Sequence, residues 1–331
     1  MNDRGASVLE QYELEVRQIS RGRGALLCDT DKGLKLLKEY KGSGRRAEML
    51  LQVLEHVQQH FSYVDQYAVN KQGGVVTQDK DGRNYIVKDW YDGRECDVRD
   101  TEEVCRAVSG LALLHKAFQV SPEDCEYNFR QEGMEQELLR HNRELRKIRR
   151  FIRERGKDTQ FETYVINHYP YFYEQAEAVT QSLLHSNVHE LQQQAEENGC
   201  LCHGDYNQHQ VLFLKKGIAI TNFDKCHVGI QVKDLCQFMR KVLEKNNWNV
   251  TMGKRMLDAY DSVLPISKTS YEYILYRLSY PEKFWKLCNQ YYNSNKAWIP
   301  DKMIHKLETL VSQEDAKKRF IESLSELIAD K

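Results

Sequence analysis

The 331-residue sequence predicts an α+β fold in two parts, a small antiparallel sheet followed by a larger, mainly helical region. Three observations carry this expectation. Residues 12–90 alternate short apolar runs with turns rich in glycine and aspartate, as strands do. From Thr101 onward, apolar residues recur at helical spacing almost without a break. Inside that helical region one stretch departs: Leu201–Phe238 reads as a polar loop, a short apolar hairpin and a second polar loop. The change of pattern divides the chain at 94/95, with residues 1–94 as a first lobe and 95–331 as a second.

In the first lobe, Glu13–Val16 alternates, Ser20–Gly24 turns, and Ala25–Cys28 is apolar. Asp29–Gly33 turns again, and Leu34–Tyr40 forms a third strand. Ser43 through Phe61 reads as a helix, capped by Ser43, with Leu50, Leu51, Leu54 and Val57 at helical spacing. Tyr67–Val69 and Gly74–Thr77 look like short strands, and Asn84–Trp90 like a fuller one, six candidates from which a five-stranded antiparallel sheet is expected. Tyr91–Glu95 is the expected hinge.

In the second lobe, Thr101–Phe118 is amphipathic, with His115 on its packed face. Glu132–Lys157 is a long charged helix whose segment Arg140–Lys157 holds nine Lys or Arg and two acids. Leu145, Ile148 and Ile152 give that helix an apolar stripe, so it is expected as a peripheral element with a solvated basic face. Phe161–Gln193 carries a second helical pattern rich in tyrosine. Val232–Lys245, Met252–Ser262, Ser270–Asn293 and Asp301–Ile328 follow as helices, with Pro281 placed to start one rather than interrupt it.

Composition narrows the class of partner. Forty-eight basic residues face 49 acidic ones, so no global charge selects a partner. Mean hydropathy is −0.69. No apolar run approaches the roughly 18 residues of a membrane span, and Met1–Glu10 lacks the apolar core of a signal peptide. The expectation is cytoplasmic synthesis with no membrane partner. The nine scattered cysteines have no framework spacing, which fits reduced thiols. Cys200, Cys202, His203, Cys226 and His227 lack the two-residue gap of common zinc motifs and read better as packed side chains. The basic helix comes with no nucleic-acid motif, which argues against a nucleic acid as partner.

The chemistry concentrates in Leu201–Phe238. His203-Gly204-Asp205 opens the first loop, Val211–Leu214 and Ile218–Ile220 form the hairpin, and Asn222-Phe223-Asp224 closes it. Two acids on rigid strand ends suit phosphoryl transfer, one orienting a hydroxyl and one holding magnesium. This pattern resembles the aminoglycoside phosphotransferase and choline kinase superfamily. Within it the likeness is nearest to the CotS-type spore-coat proteins of endospore-forming bacteria. Further stations of the resemblance are Gly22-Arg23-Gly24, Thr30–Lys38, Trp90–Cys96, Leu113-Leu114-His115 and Tyr280–Trp285, in the expected order along nearly the whole chain.

The resemblance implies a protein-kinase-like fold with a nucleotide-binding-like first lobe. It also implies roles. Asp205 is the catalytic-base position. Gly22 and Gly24 would let backbone amides approach phosphate, and Lys38 would steady the nucleotide, with Lys35 a rival in another register. Glu48 would pair with Lys38, in preference to Glu55. The metal positions fall on Asn222 and Gln210, where active relatives carry Asp and Asn, with Asp224 retained beside them. Exchanging the Asp for Asn222 removes a negative charge from a hard-cation site. His203 and Asp234 would brace the loop.

Two functions compete on this reading. The amides at Asn222 and Gln210 favour a kinase-like structural or scaffolding protein of the spore coat with a degenerate site, binding ATP and Mg2+ weakly or not at all. Retention of Asp205, Asp224, Lys38 and Gly24 favours an active ATP-dependent phosphotransferase acting on a small hydroxyl compound or a coat component. Either way the expected partners are spore coat proteins and a nucleotide, and the expected destination is the coat.

Overall fold

The structure, a computed structural model, describes residues 6–22, 24–61, 63–120, 131–156, 159–293 and 301–329. Arg23 and Lys157, named above, and Cys125, one of the nine cysteines, lie outside them. A five-stranded antiparallel sheet is built from β1 (Val16–Gly22), β2 (Ala25–Thr30), β3 (Gly33–Glu39), β4 (Thr77–Gln78) and β5 (Asn84–Asp89), in the order β1-β2-β3-β5-β4. The first strand begins later than the sequence predicts, and it runs through most of the expected turn. Only Arg23-Gly24 remain between β1 and β2, because Gly24 adopts a positive φ of 71° that a tight hairpin requires. Tyr67–Val69 is no strand: Tyr67 makes a single bridge to Lys88. The Asn70 side chain instead accepts the N–H groups of Gln72 and Gly74, turning the backbone away from the sheet.

The two faces of the sheet bury different groups. On one, Leu37, Tyr85 and Val87 pack with Val8, Leu9 and Tyr12 from the N-terminal segment. On the other, Ile86 joins the main core with Leu50, Leu54 and Val57 of α1 (Gly44–Gln58). Each such side chain, fully buried, contributes roughly 1.5–3 kcal/mol. Ser43 caps α1 by accepting the Arg46 N–H at 3.3 Å.

β6 (Arg94–Glu95) leads out of the sheet to α2 (Thr101–Ala117), α3 (Met134–Arg155), α4 (Gln160–Leu184) and α5 (Val188–Glu197). The expected helix 161–193 is thus two, parted at His185. β7 (Leu201–Cys202), β8 (Val211–Phe213), β9 (Ile218–Ile220) and β10 (His227–Val228) frame the two polar loops. β6 pairs with β8, which ties the hairpin to the segment leaving the first sheet, and β10 pairs with β7 in a separate two-stranded sheet. α6 (Val232–Lys245), α7 (Val250–Asp261), α8 (Lys268–Ser279), α9 (Glu282–Tyr292), α10 (Asp301–Ser312) and α11 (Glu314–Ala329) complete the helical part. Pro281 stands at the start of α9, as its missing N–H favours. Leu145, Ile148 and Ile152 of α3 are buried against Phe161, Phe172 and Phe284, forming a second core with the basic face outward. Several of those basic groups are paired: Arg140 with Glu132, Arg146 with Glu177, Arg155 with Glu162. No helix among the described residues is long and apolar enough to cross a membrane.

Candidate functional site

Strand alternation decides which lysine faces the two polar loops. Lys38 sits opposite Ala25 and Ile86, and Lys88, two residues beyond Ile86, shares its face. Lys35, three positions from Lys38, points to the other side and pairs with Asp89. Lys38 forms an ion pair with Asp224 and reaches Asn222 Oδ1 at 3.5 Å. Lys88 is buried, 2.6 Å from Asp65 Oδ2 and 3.6 Å from Asp224 Oδ1. Burial works against the Lys88 charge, but Asp65 and Asp224 outweigh it and raise its pKa. Burial likewise opposes the charge of Asp224, yet Lys88 and Lys38 hold its carboxyl below the usual range.

Glu48 is not in this cluster. It lies on the exposed face of α1, and the same holds for Glu55. Arg46 is the α1 residue that reaches the loop, donating to the carbonyls of Asp224 (3.0 Å) and Cys226. Two residues on a helix are about 200° apart in azimuth, so a helix that aims Arg46 at the loop turns Glu48 to solvent. The groups facing Lys38 are therefore Asp224 and Asn222, while the buried carboxylate is Asp65, from the segment after α1.

Asn222 has left-handed backbone (φ 70°, ψ 61°), and its N–H donates to Asp65 Oδ2 at 2.8 Å. Asn and Asp both tolerate this region, so the backbone does not dictate the amide. Gln210 turns its side chain to Thr221, whose hydroxyl donates to Oε1 at 3.3 Å, and its carbonyl accepts the Thr221 N–H. Each of the three metal-position side chains thus already faces a protein donor: Lys38 for Asn222, Lys38 and Lys88 for Asp224, Thr221 for Gln210.

The His203-Gly204-Asp205 loop is braced from below. Asp234, fully buried, accepts the N–H groups of His203 (2.5 Å) and Gly204 (2.9 Å), and His115 Nε2 approaches it at 3.3 Å. Burial opposes its charge, but the His115 hydrogen bond and the other neighbours outweigh it and keep its carboxyl low. His203 is buried, and burial lowers its pKa, so it is neutral. The Asp205 N–H donates to its Nδ1 at 3.2 Å, which leaves Nε2–H to donate to the Thr221 carbonyl at 2.9 Å. One imidazole thus ties the first loop to the second. Gly204 has φ 81°, and a Cβ there would run into the Lys225 carbonyl. Asp205 itself is partly exposed, with Lys225 Nζ at 2.9 Å, Lys241 Nζ at 3.9 Å and Gln237 Nε2 at 3.4 Å.

Two cavities result. Gly22, Gly24 and Lys38 share the wall of one, about 340 Å³, at the open end of the sheet. Gly204 and Asp205 belong to another, about 440 Å³, enclosed by α3, α6 and α9. Lys225, next to Asp224 in sequence and bonded to Asp205, connects the two loops. Sequence reasoning missed Lys88, Asp65, Lys225 and Lys241. For Lys88 a signal existed: a charge following Ile86-Val87 in a buried strand needs a partner.

The donor set fits a divalent cation poorly. Such an ion prefers several charged oxygens, and here a single carboxylate carries two ammonium groups. Among the described residues there is no cluster of three or more His, Cys, Asp or Glu placed to hold a metal.

The family model described as "Spore coat putative kinase YutH" matches residues 6–324. Spore coat protein S of Bacillus subtilis strain 168 is 22% identical over 331 residues, covering 97% of this chain and 94% of that protein. Among solved structures, an aminoglycoside phosphotransferase from Alicyclobacillus acidocaldarius superposes with a TM-score of 0.87 at 17% identity, over 98% of this chain and 96% of the other. The amicoumacin kinase hAmiN, solved in complex with AMP-PNP, Ca2+ and Ami, gives 0.62 at 14% identity, over 96% and 94%. Spectinomycin phosphotransferase with ADP and spectinomycin gives 0.60 at 12%, over 96% and 92%. At these identities the structures establish the kinase-like fold.

Proposed function

The chain belongs to the spore coat kinase-like family matched over residues 6–324, and from that premise we propose that it is a structural or scaffolding component of the coat, built on a phosphotransferase fold whose metal site has been replaced by protein ammonium groups. One observation carries the reading: Asp224, the carboxylate left beside the metal positions, is held by both Lys38 and Lys88. Lys38 and Lys88 against Asp65 and Asp224 make a neutral cluster with no ion present. A magnesium ion entering there would meet two like charges.

The same cluster bears on nucleotide. Gly22, Gly24 and Lys38 line a cavity in which phosphates could be met by backbone amides and an ammonium group. To use Lys38, a phosphate must draw it from Asp224, and without a cation the triphosphate charge is not neutralised. ATP binding is therefore weak and insensitive to magnesium. On this proposal the lobes divide at 94/95, the protein is made in the mother cell, and its partners are coat proteins.

The second reading, an ATP-dependent phosphotransferase, is favoured by the position of Asp205, a carboxylate on the wall of a 440 Å³ cavity, where it would orient an acceptor hydroxyl. Thermal shift and radiolabelled ATP turnover, each with and without Mg2+, separate the two. The scaffold reading expects a small shift that magnesium does not alter, and no turnover. A large magnesium-dependent shift with turnover would replace it by the enzyme reading.

A further inference from the structure

The cavity beside Asp205 is lined by basic groups in excess of the acids that could neutralise them. Its wall holds Arg140, Arg240 and Arg277 and the lysines Lys225, Lys233, Lys241 and Lys286, against Asp205, Glu137 and Glu282. The arginines are accounted for: Arg140 bonds Glu132 and Glu144, Arg240 bonds Glu244 at 2.8 Å, and Arg277 bonds Glu137 at 2.5 Å. Lys286 pairs with Glu282. The remaining three lysines are not matched in this way. Lys225 and Lys241 share Asp205, at 2.9 and 3.9 Å, and Lys233 donates to the neutral Gln131 Oε1 at 3.1 Å and is 3.9 Å from a Glu137 that Arg277 already holds. Three ammonium groups thus converge on two carboxylates, one of them already engaged.

Such an arrangement is costly as it stands. Burial lowers the pKa of both Lys233 and Lys241, since each charge is desolvated without a full counter-charge. The lining also includes two aromatic side chains. His141 and Trp285 stack with ring centroids 3.4 Å apart, and His141 Nδ1 is buried without a hydrogen-bond partner. Burial lowers the His141 pKa to about 4, so the ring is neutral and adds no competing charge at pH 7. Glu282 and Trp285 come from the Tyr280–Trp285 motif, which the spore-coat resemblance includes but the nucleotide cluster does not use.

We propose that this cavity binds a small polyanion, a compound carrying at least two phosphate or carboxylate charges, through Lys225, Lys233 and Lys241, with its remaining atoms against the His141–Trp285 stack. The volume, about 440 Å³, suits a small molecule and not a folded partner. A polycation entering the same space would meet the three ammonium groups. Binding requires no phosphoryl transfer, so the inference goes beyond the scaffold reading and survives if that reading fails.

The test is calorimetric titration of the full chain with inorganic pyrophosphate and with citrate, at low ionic strength and without metal, using spermine as the opposite-charge control. One saturable site for either anion is expected, and which anion wins distinguishes phosphate from carboxylate chemistry. Lys241→Gln and Lys233→Gln should each weaken binding at least about tenfold, as loss of one charged hydrogen bond does. Arg150→Gln, on the exposed face of α3, should leave it unchanged. If circular dichroism shows either lysine variant unfolded, Lys225→Gln, at a more exposed position, replaces it. The proposal is overturned if neither anion binds, if spermine binds in their place, or if Arg150→Gln weakens binding as much as the cavity variants do. ATP thermal shift reads the other cavity, so failure here is separable from failure of the scaffold reading.

Discussion

Lys88→Met removes the buried cation on which the neutrality of the cluster depends. Lys88 and Asp65 are 2% and 1% exposed at their side chains, with 2.6 Å between Nζ and Oδ2. Methionine keeps the length of the stem and deletes the charge. Asp65 would then keep the Asn222 N–H at 2.8 Å as its one hydrogen bond seen here, with the carboxylate charge uncompensated in the core. Breaking a buried pair from one side costs about 3–5 kcal/mol. Asp224 loses a partner as well, but it keeps Lys38 and is a quarter exposed, so its share is smaller. For a chain of this size the cost corresponds to a fall in melting midpoint of roughly 4–7 °C.

The companion variant makes the argument sharp. Asp65→Asn added to Lys88→Met removes the stranded charge while keeping an oxygen to accept the Asn222 N–H. The double variant should therefore melt above Lys88→Met and recover at least half of the loss, a coupling on the order of 2 kcal/mol. Differential scanning calorimetry of parent, both singles and the double at pH 7 measures it. If Lys88→Met shifts the midpoint by less than about 1 °C, or the two losses simply add, the buried pair does not hold the cluster together as described.

Three further outcomes follow from the same geometry. Asn222→Asp adds a carboxylate beside Lys38, making the cluster net negative; ATP-induced stabilisation should then require magnesium, with affinity for the metal complex raised roughly tenfold, and an unchanged magnesium response would count against the neutral-cluster account. His141, held to a pKa of about 4 by burial against an ordinary 6.5, resists a proton that the unfolded chain accepts. Stability is fully present above pH 6.5 and falls by about 3 kcal/mol as the pH drops to 4; the stability difference between the parent and His141→Gln, from urea melts, should shrink by that amount over the same range and not otherwise. Gly204→Ala places a methyl against the Lys225 carbonyl at a φ of 81°, so a loss of about 2–4 kcal/mol is expected by urea denaturation, and a variant as stable as the parent would mean the loop is free to shift.

How much of this was legible in the sequence depends on the range of the interactions. Hairpins, caps and amphipathic helices are local, and they stood out: β2, β3, β5, α2 and α6 fall within a residue or two of their expected bounds, and α1 within three. The misjudged segments are those where side chains override the pattern, as Asn70 does in turning the chain after Tyr67. The motif loops were legible too, because the resemblance carries His203, Asp205 and Asp234 together, although the Asp234 carboxylate accepts the His203 N–H across 31 positions of the chain. Helix azimuth was not. Ser43–Phe61 was recognised as a helix, but whether Arg46 or Glu48 meets the loop depends on how α1 rolls on the sheet.

The amides show why motif reading alone falls short of function. Asn222 and Gln210 are visible as departures, and by themselves they say only that a metal is held less well. On the scaffold proposal, what stands in place of the metal is Lys88, which lies on β5 in no recognised motif and meets Asp224 only after the sheet and the hairpin have closed on each other. A magnesium ion can be diluted or chelated away; an ammonium group on a central strand cannot. On that proposal, exchanging one for the other holds the Asp224 loop without a bound ion. Such an exchange would suit the proposed scaffold, whose fold must persist as a surface for assembly, and would remove the dissociable charge on which phosphoryl transfer depends. On the scaffold proposal, the amide at Asn222 and the retained fold form a single adaptation, with Lys88 as the residue that links them.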